Sequence, residues 1–234
     1  MAGDLKSLFT GSGIESETED IVVYLDETRD PAKNLAREEE IFRKVERREL
    51  PETVRLWLNS ECLVRGPAKS AKHGWYNEKL AKEMGIPVVE RPTGGGVVYH
   101  DEGNLNWSFF FRNRGAFLAP KIMFEQTSEV VIKALRRLGV DANFAPPNRI
   151  DVSGRKVSGM AARSTARAML VHGTLLLHTD LERLNALCIP PVGCPPVANV
   201  GEWARGIDAE KVLEALAGVL RNDGHNVKTT DPME

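Results

Sequence analysis

The sequence predicts an α+β domain in which a mixed, largely antiparallel sheet is flanked by helices. Three observations carry this. Short apolar, β-branched runs bounded by turn residues recur along the chain and mark strands. A few longer segments instead space their apolar residues as a helix does. Strands and helices also fail to alternate one for one, which argues against a regular parallel βαβ sheet. With 234 residues, 42% of them hydrophobic, the chain can bury one sizeable core.

In order, Ile21 to Leu25 is a short β-branched run and reads as the first strand. Asp30-Pro31 then resembles a helix start, with proline in the first turn. Leu35, Ile41, Phe42 and Val45 follow at roughly helical spacing, so 31–48 reads as an amphipathic helix that Pro51 closes off. Val54 to Leu58 and Cys62 to Val64, separated by Asn59-Ser60-Glu61, suggest a hairpin. Lys69 to Lys82 is basic, with His73, Trp75 and Tyr76 interleaved, and reads as a solvated loop and helix. Pro87 to Glu90 is strand-like. In 120–138, Ile122, Met123, Val130, Val131, Ala134, Leu135 and Leu138 form one stripe, with Gly139 at the helix end. Arg149 to Val152 and Lys156 to Ser158 flank Ser153-Gly154, a hairpin turn dipeptide. Leu170 to His178 is a long apolar strand, and Ala209 to Leu220 a final helix before Gly224. No internal repeat is present.

Composition excludes several classes. The formal net charge is -2, without the basic excess of a nucleic-acid binder. No apolar run approaches the roughly 20 residues of a membrane helix. Cys62, Cys188 and Cys194 are too few, and odd in number, for a disulfide framework. Residues 1–20, rich in Gly, Ser, Thr and acids, lack the basic start and apolar stretch of a secretory signal. They read as a flexible tail ahead of one domain over 21–234, and the cytoplasm is the expected location. Gln126 is the only glutamine, a depletion that points to a thermophilic source.

The most unusual stretch runs from Glu90-Arg91-Pro92-Thr93 through Gly94-Gly95-Gly96 to Val97-Val98-Tyr99-His100-Asp101. Three glycines in succession let a backbone approach a ligand closely. Their N–H groups can cradle an anion, and Arg91 adds a permanent positive charge beside them. Neither the GxxxxGK[ST] phosphate loop nor a GxGxxG dinucleotide turn is present. A second cluster is Asn148-Arg149-Ile150-Asp151, followed by Gly154-Arg155-Lys156-Val157-Ser158-Gly159. Lys156 offers an ammonium that can hold a carboxylate, acyl carbonyl or phosphate during acyl transfer. A third is His172-Gly173-Thr174 inside the apolar strand, where the histidine is either a satisfied core residue or, with a glycine after it, one that borders a cavity. No second ligand pair at suitable spacing accompanies Cys188 and Cys194, so no metal site is expected.

These three clusters, in this order, resemble the lipoate–protein ligase A family of the biotin/lipoate protein ligase superfamily. The glycine block, the Gly-x-Lys-x-Ser-Gly block at 154–159 and the His-Gly-Thr-Leu-Leu strand at 172–176 carry the likeness, which covers roughly residues 33–222. The resemblance implies the biotin/lipoate ligase catalytic-domain fold, without the family's small C-terminal domain. It implies a two-step ligase reaction: lipoate and ATP give lipoyl-AMP, and a lysine of a lipoyl carrier domain then attacks it. The carrier would be the acyltransferase subunit of a 2-oxoacid dehydrogenase or the glycine-cleavage H protein. Mg²⁺ would neutralise the ATP phosphates, and a separate small accessory subunit could supply the missing domain. Lys156 would be the catalytic residue. Arg91, Thr93, Gly94, Gly95, Gly96, Val97, Tyr99, His100, Asn148, Ser158, Gly159, His172, Gly173 and Thr174 would bind the lipoyl and AMP groups.

The chain departs from the family pattern at four places. Glu90 replaces the first Arg of an Arg-Arg pair. Arg149 replaces the Asp of an Asn-Asp pair, and Asp151 should face the same side as Arg149. Gly66-Pro67-Ala68-Lys69 replaces a Gly-Arg-x-Gln stretch, and no small C-terminal domain is expected. Two alternatives follow. One is an ATP-independent octanoyl or lipoyl transferase that takes the acyl group from a carrier-protein thioester, with Cys188 or Cys194 as nucleophile and Lys156 lowering the thiol pKa. The other is a non-catalytic lipoyl-binding paralogue.

Overall fold

The computed structural model describes residues 20–67, 75–113 and 120–233. The chain runs β1 (Ile21–Asp26), α1 (Pro31–Glu46), β2 (Glu52–Trp57), β3 (Cys62–Arg65), α2 (Glu78–Glu83), β4 (Val88–Glu90), β5 (Val97–His100), β6 (Asn104–Arg112) and α3 (Pro120–Arg137). It continues through β7 (Ala142–Ala145), β8 (Arg149–Val152), β9 (Arg155–Ser164), β10 (Ala168–Leu176), α4 (Leu181–Leu187), a 3₁₀ turn at Val200–Glu202, α5 (Ala209–Asn222) and β11 (Val227–Lys228). Eight strands form one sheet in the order β11-β1-β2-β6-β10-β9-β8-β7, and three form a second in the order β4-β3-β5. Only β11-β1, β1-β2 and β3-β4 pair in parallel. The architecture is the mixed, largely antiparallel α+β arrangement that the sequence predicts.

Strand alternation gives the large sheet two unlike faces. On β6, Leu105, Trp107, Phe109 and Phe111 enter the main core with Met123, Val130, Val131 and Leu135 of α3 and Val212, Leu216 and Leu220 of α5. Each such buried side chain is worth roughly 1.5–3 kcal/mol. The other β6 face carries Asn104, Asn106 and Ser108, all buried. Across it lies α1, whose Ile41, Phe42 and Val45 meet Val22, Tyr24, Phe110 and Leu170. Asp30 caps α1 by accepting from the Lys33 amide at 2.9 Å, with Pro31 in the first turn. Gly139 closes α3 at φ 83°, and Ser153-Gly154 turn β8 into β9 at φ 50° and 74°, as a two-residue hairpin of this composition requires.

One expected pairing is corrected. The strands at 54–58 and 62–64 form no hairpin: β2 lies between β1 and β6, and β3 between β4 and β5. The connecting Asn59 side chain is drawn inward, to Asn34 and His100, so the chain crosses from one sheet to the other instead of turning back. Strands β6, β7 and β11 and helix α4 have no counterpart among the elements expected from sequence. Of the expected tail only Asp20 is described, and residues 69–74 of the basic stretch, with His73, lie outside the described residues. No helix among the described residues is long and apolar enough to cross a membrane.

Candidate functional site

The glycine turn is built around Arg91. Its backbone N–H bonds the Arg65 carbonyl at 2.9 Å, which anchors the turn to β3. Its buried guanidinium donates to the carbonyls of Val64 (3.1 Å), Gly94 (3.1 Å) and Gly96 (3.0 Å), and through Nε to Thr93 Oγ1 (3.0 Å). Burial pulls its pKa down to about 10, with Glu38 acting against the fall. The charge expected to face an anion beside the glycine amides is thus committed to protein carbonyls. Because peptide units are planar and trans, holding the Gly94 and Gly96 carbonyls inward turns the Gly95 and Val97 N–H groups the opposite way. Gly95 sits at φ 103°, where a side chain is strained.

Trp75 covers this turn. A Cβ on Gly96 would lie 1.7 Å from Trp75 Cε3. Gly96→Ala must therefore expel the indole or move the turn, and we expect it to cost about 1–3 kcal/mol in urea denaturation. A variant as stable as the parent would show that the indole does not pack on the turn.

From Arg91 a hydrogen-bonded chain crosses the interior. Thr93 Oγ1 meets His172 Nε2 at 2.7 Å. His172 Nδ1 contacts both Glu38 oxygens, at 2.9 and 3.0 Å. Ser108 Oγ donates to Glu38 at 2.6 Å and accepts from Trp57 Nε1 at 2.9 Å. Burial alone would raise the Glu38 carboxyl; His172 and Ser108 outweigh it and hold the group below its ordinary value. The chain has a permanent cation at one end and a carboxylate at the other, which is how buried charge is tolerated. Glu38, Ser108 and Trp57 are absent from the residues the sequence singled out.

Lys156 is the second residue of β9, pinned by its backbone to Pro196 (2.9 Å) and Ala198 (3.0 Å). Its side chain is half-buried and arches over Gly159, where a Cβ would lie 3.0 Å from Nζ. Among the described residues its ammonium has no hydrogen-bond or ion-pair partner. Gly159 N–H in turn bonds Thr174 Oγ1 at 3.3 Å. A Cβ on Gly173 would meet Trp107 at 2.4 Å and the Gly159 carbonyl at 2.8 Å, so only glycine lets these strands approach. Lys156, Gly159, Gly173, Thr174, His172, Thr93 and Arg91 are therefore one connected region. Ser158 is buried beside it, with no hydrogen-bond partner for its hydroxyl.

Other expected site residues are placed differently. Val97 and Tyr99 face the satellite core of Leu63, Ala81 and Ile86, and the Tyr99 hydroxyl bonds Glu61 at 2.7 Å. Only His100 and Val98, on the alternate face, turn the other way. Asn148 spends its amide nitrogen on the Met160 carbonyl at 2.6 Å. Arg149 and Asp151 do share a side, paired at 3.0 Å. Glu90 pairs with Arg65 at 3.1 Å. Burial pushes the Cys188 thiol up to about 11, although the nearby Lys156 charge and a Tyr99 backbone hydrogen bond pull it down. That is the reverse of an activated nucleophile. Cys194 is half-buried and free.

His100 is fully buried. Burial first, then the charges of Arg91 and His172, push its pKa down to about 3. An unfolded histidine titrates near 6.5. Between those values the unfolded chain takes up a proton that the folded one refuses, so stability falls as pH drops, by about 1.4 kcal/mol per unit. Glu38 and Asp26, both lowered, add stability above their unfolded values that is lost as pH falls through the folded ones. The urea midpoint should drop steeply from pH 6 to pH 4, with His100→Gln flattening that limb. An unchanged midpoint over this range would contradict the burial of His100 as a neutral base.

The family model of the lipoyl protein ligase A/B catalytic domain matches residues 30–221. A lipoate-protein ligase A of Psychrobacter cryohalolentis is 32% identical over 207 residues, covering 82% of this chain and 57% of that protein. Lipoate-protein ligase LplJ of Bacillus subtilis is 37% identical over 157 residues, covering 66% and 45%. The chain spans about half the length of the curated relatives it matches. Among solved structures, a lipoate-protein ligase A bound with ATP superposes with a TM-score of 0.76 at 25% identity, covering 92% of this chain and 88% of that one. A Thermoplasma acidophilum protein with bound lipoic acid gives 0.76 at 26% identity, covering 91% and 90%. The bi-partite lipoate protein ligase of that organism shares the fold, with a TM-score of 0.74 at 24% identity, covering 91% and 86%. The matched span takes in α1, the glycine turn, Lys156 and His172 together, and the chain belongs to the lipoyl protein ligase A/B catalytic domain family.

Proposed function

We propose that this chain is the catalytic domain of a lipoate–protein ligase. In the first step a lipoate carboxylate oxygen attacks the α-phosphorus of ATP, and pyrophosphate leaves. In the second the amine of a carrier-domain lysine attacks the acyl carbonyl of lipoyl-AMP, and AMP leaves. The observation that carries this reading is the Lys156 ammonium, unpartnered among the described residues, half-buried above Gly159 and continuous with the Thr93–His172–Glu38 chain. A fixed cation there stabilises charge on the carboxylate, the phosphate and the developing oxyanion. Gly94, Gly95, Gly96, Ser158, His172, Gly173 and Thr174 shape the acyl and nucleotide pocket. Lipoate and ATP are the substrates that solved relatives hold.

Mg²⁺ enters as the counter-ion of the ATP phosphates. Among the described residues no group of three or more His, Cys, Asp or Glu could hold a metal, and Asp151 is engaged by Arg149. The protein partner is a lipoyl carrier domain of a 2-oxoacid dehydrogenase acyltransferase subunit or a glycine-cleavage H protein. A small accessory subunit completes the enzyme, as the bi-partite nature of the Thermoplasma acidophilum relative suggests. The cytoplasm is the location proposed for the reaction.

The test is the intact mass of an apo carrier domain after incubation with lipoate and Mg-ATP, or with octanoyl-carrier protein and no ATP, each with and without a candidate accessory subunit. A lipoyl mass gain in the ATP mixture alone supports the ligase. A gain without ATP makes the chain a transferase, against the raised Cys188 thiol. Lipoate binding without turnover from either donor makes it a non-catalytic paralogue.

A further inference from the structure

A second buried hydrogen-bond chain ends on a group with nothing to bond. It starts at Arg55, fully buried and held by Asp26 at 2.8 Å. A guanidinium can only donate, and Arg55 donates to Asn34 Oδ1. That fixes the Asn34 amide, whose Nδ2 donates to Asn59 Oδ1 at 2.8 Å and shares its other proton between the Thr28 and Leu58 carbonyls, both at 2.9 Å. With its oxygen spent as an acceptor, Asn59 must donate through Nδ2, to Cys62 Sγ at 3.5 Å and to His100 Nδ1 at 3.0 Å. His100 Nδ1 is thereby an acceptor, and the single proton of the neutral ring sits on Nε2. Nε2 is buried and has no partner among the described residues. A buried donor left unpaired is unfavourable, and that cost is removed when a ligand brings an acceptor.

We propose that Asn59 is a positioning residue that locks His100 in its Nε2–H form, so that His100 offers one hydrogen bond to a carboxyl-derived oxygen of the acyl substrate. The choice of atom follows from the substrate class. A lipoyl chain has strong acceptors only in its carboxyl group, since its sulfurs accept weakly. A neutral donor also suits both steps, because it neither surrenders a proton to the adenylate nor forms a fixed ion pair with the free acid. The inference rests on the ligase reading above, but the tautomer is a property of the free protein.

The experiment is two-dimensional ¹H–¹⁵N correlation of the histidine rings in ¹⁵N-labelled protein, with His100→Gln used to assign the signals. His100 is expected as the Nε2–H tautomer without ligand. Saturating lipoate should move its Nε2–H proton downfield, and octanoate, which has the carboxyl group and no sulfur, should do the same. Asn59→Asp, whose carboxylate can only accept, should switch the ring to Nδ1–H and weaken lipoate binding at least about 10-fold, the value of one lost hydrogen bond. An Nδ1–H ring in the free wild type overturns the inference whatever binds, and it needs no variant to fold. A shift with lipoate but not octanoate overturns the assignment to oxygen, and a lipoate-saturated Nε2–H signal that stays in place overturns the contact itself. Failure of the wild type to bind lipoate at all refutes the ligase reading, and with it the ligand half of this proposal, while the tautomer is still read directly.

Discussion

Lys156→Ala should lower lipoyl transfer to the carrier by about 10²–10³-fold, the usual loss when one preorganised charge-stabilising donor is removed. Folding should survive. The contacts that fix this position are the backbone bonds to Pro196 and Ala198, which alanine keeps, and the ammonium has no partner among the described residues to leave unpaired. A thermal midpoint within a few degrees of the parent is expected. Lys156→Arg should not restore the rate, because a planar guanidinium cannot replace a compact ammonium at the same point above Gly159. Pyrophosphate release and transfer from preformed lipoyl-AMP, assayed separately, would show which step loses more. Wild-type rates in both would remove Lys156 from the chemistry.

Glu38→Ala is expected to be the most destabilising single change near the site. The carboxylate is fully buried and receives His172 Nδ1 and the Ser108 hydroxyl. Its loss leaves the His172 Nδ1 side and the Ser108 hydroxyl proton unpaired, with only Thr93 and Trp57 still bonded to these residues, and removes the carboxylate at the far end of Arg91's chain. Removing one member of a buried charged pair costs about 3–5 kcal/mol. Glu38→Gln keeps the volume and an acceptor for Ser108, and should lose roughly half as much. Urea denaturation at pH 7 distinguishes these outcomes. A loss below about 1 kcal/mol for the alanine variant would mean that water replaces the carboxylate.

The contrast between Lys156 and Glu38 shows what was legible in the sequence. The glycine turn, the Lys156 block and the His172 strand are continuous motifs, so residue types and spacing announced them, and the hairpin at Ser153-Gly154 followed from turn chemistry. Glu38, Ser108 and the Trp57–Asn59 stretch lie on three separate segments and meet only through packing. A signal for Glu38 was nevertheless present: Asn34 and Glu38 stand on the same helical stripe as Ile41, Phe42 and Val45, and a carboxylate on the buried face of a helix is rarely without a partner. Strand β6 carried a comparable signal, with Asn104, Asn106 and Ser108 alternating against four large apolar residues. For Arg91 the sequence points to the glycine turn but not to the carbonyls of Val64, Gly94 and Gly96 that its guanidinium binds. Which acceptors a guanidinium reaches depends on how tightly the turn folds back on it, and a string of glycines leaves that open. The false hairpin at 59–61 has the same origin, since loop length alone does not reveal that Asn59 is pulled into the interior.

The two faces of β6 also bear on how the chain avoids misfolding. Sliding β6 by one residue against β10 would turn Asn106 and Ser108 into the oily side of the sheet and set Trp107 and Phe109 against α1. Every buried amide and hydroxyl would then lose its bond, and every aromatic its neighbours, in a single step. A strand with one indifferent face would tolerate such slippage. Here the residues that hold Glu38 also act as a ratchet on alignment, so near-native sheets in the wrong frame lie too high in energy to trap the folding chain.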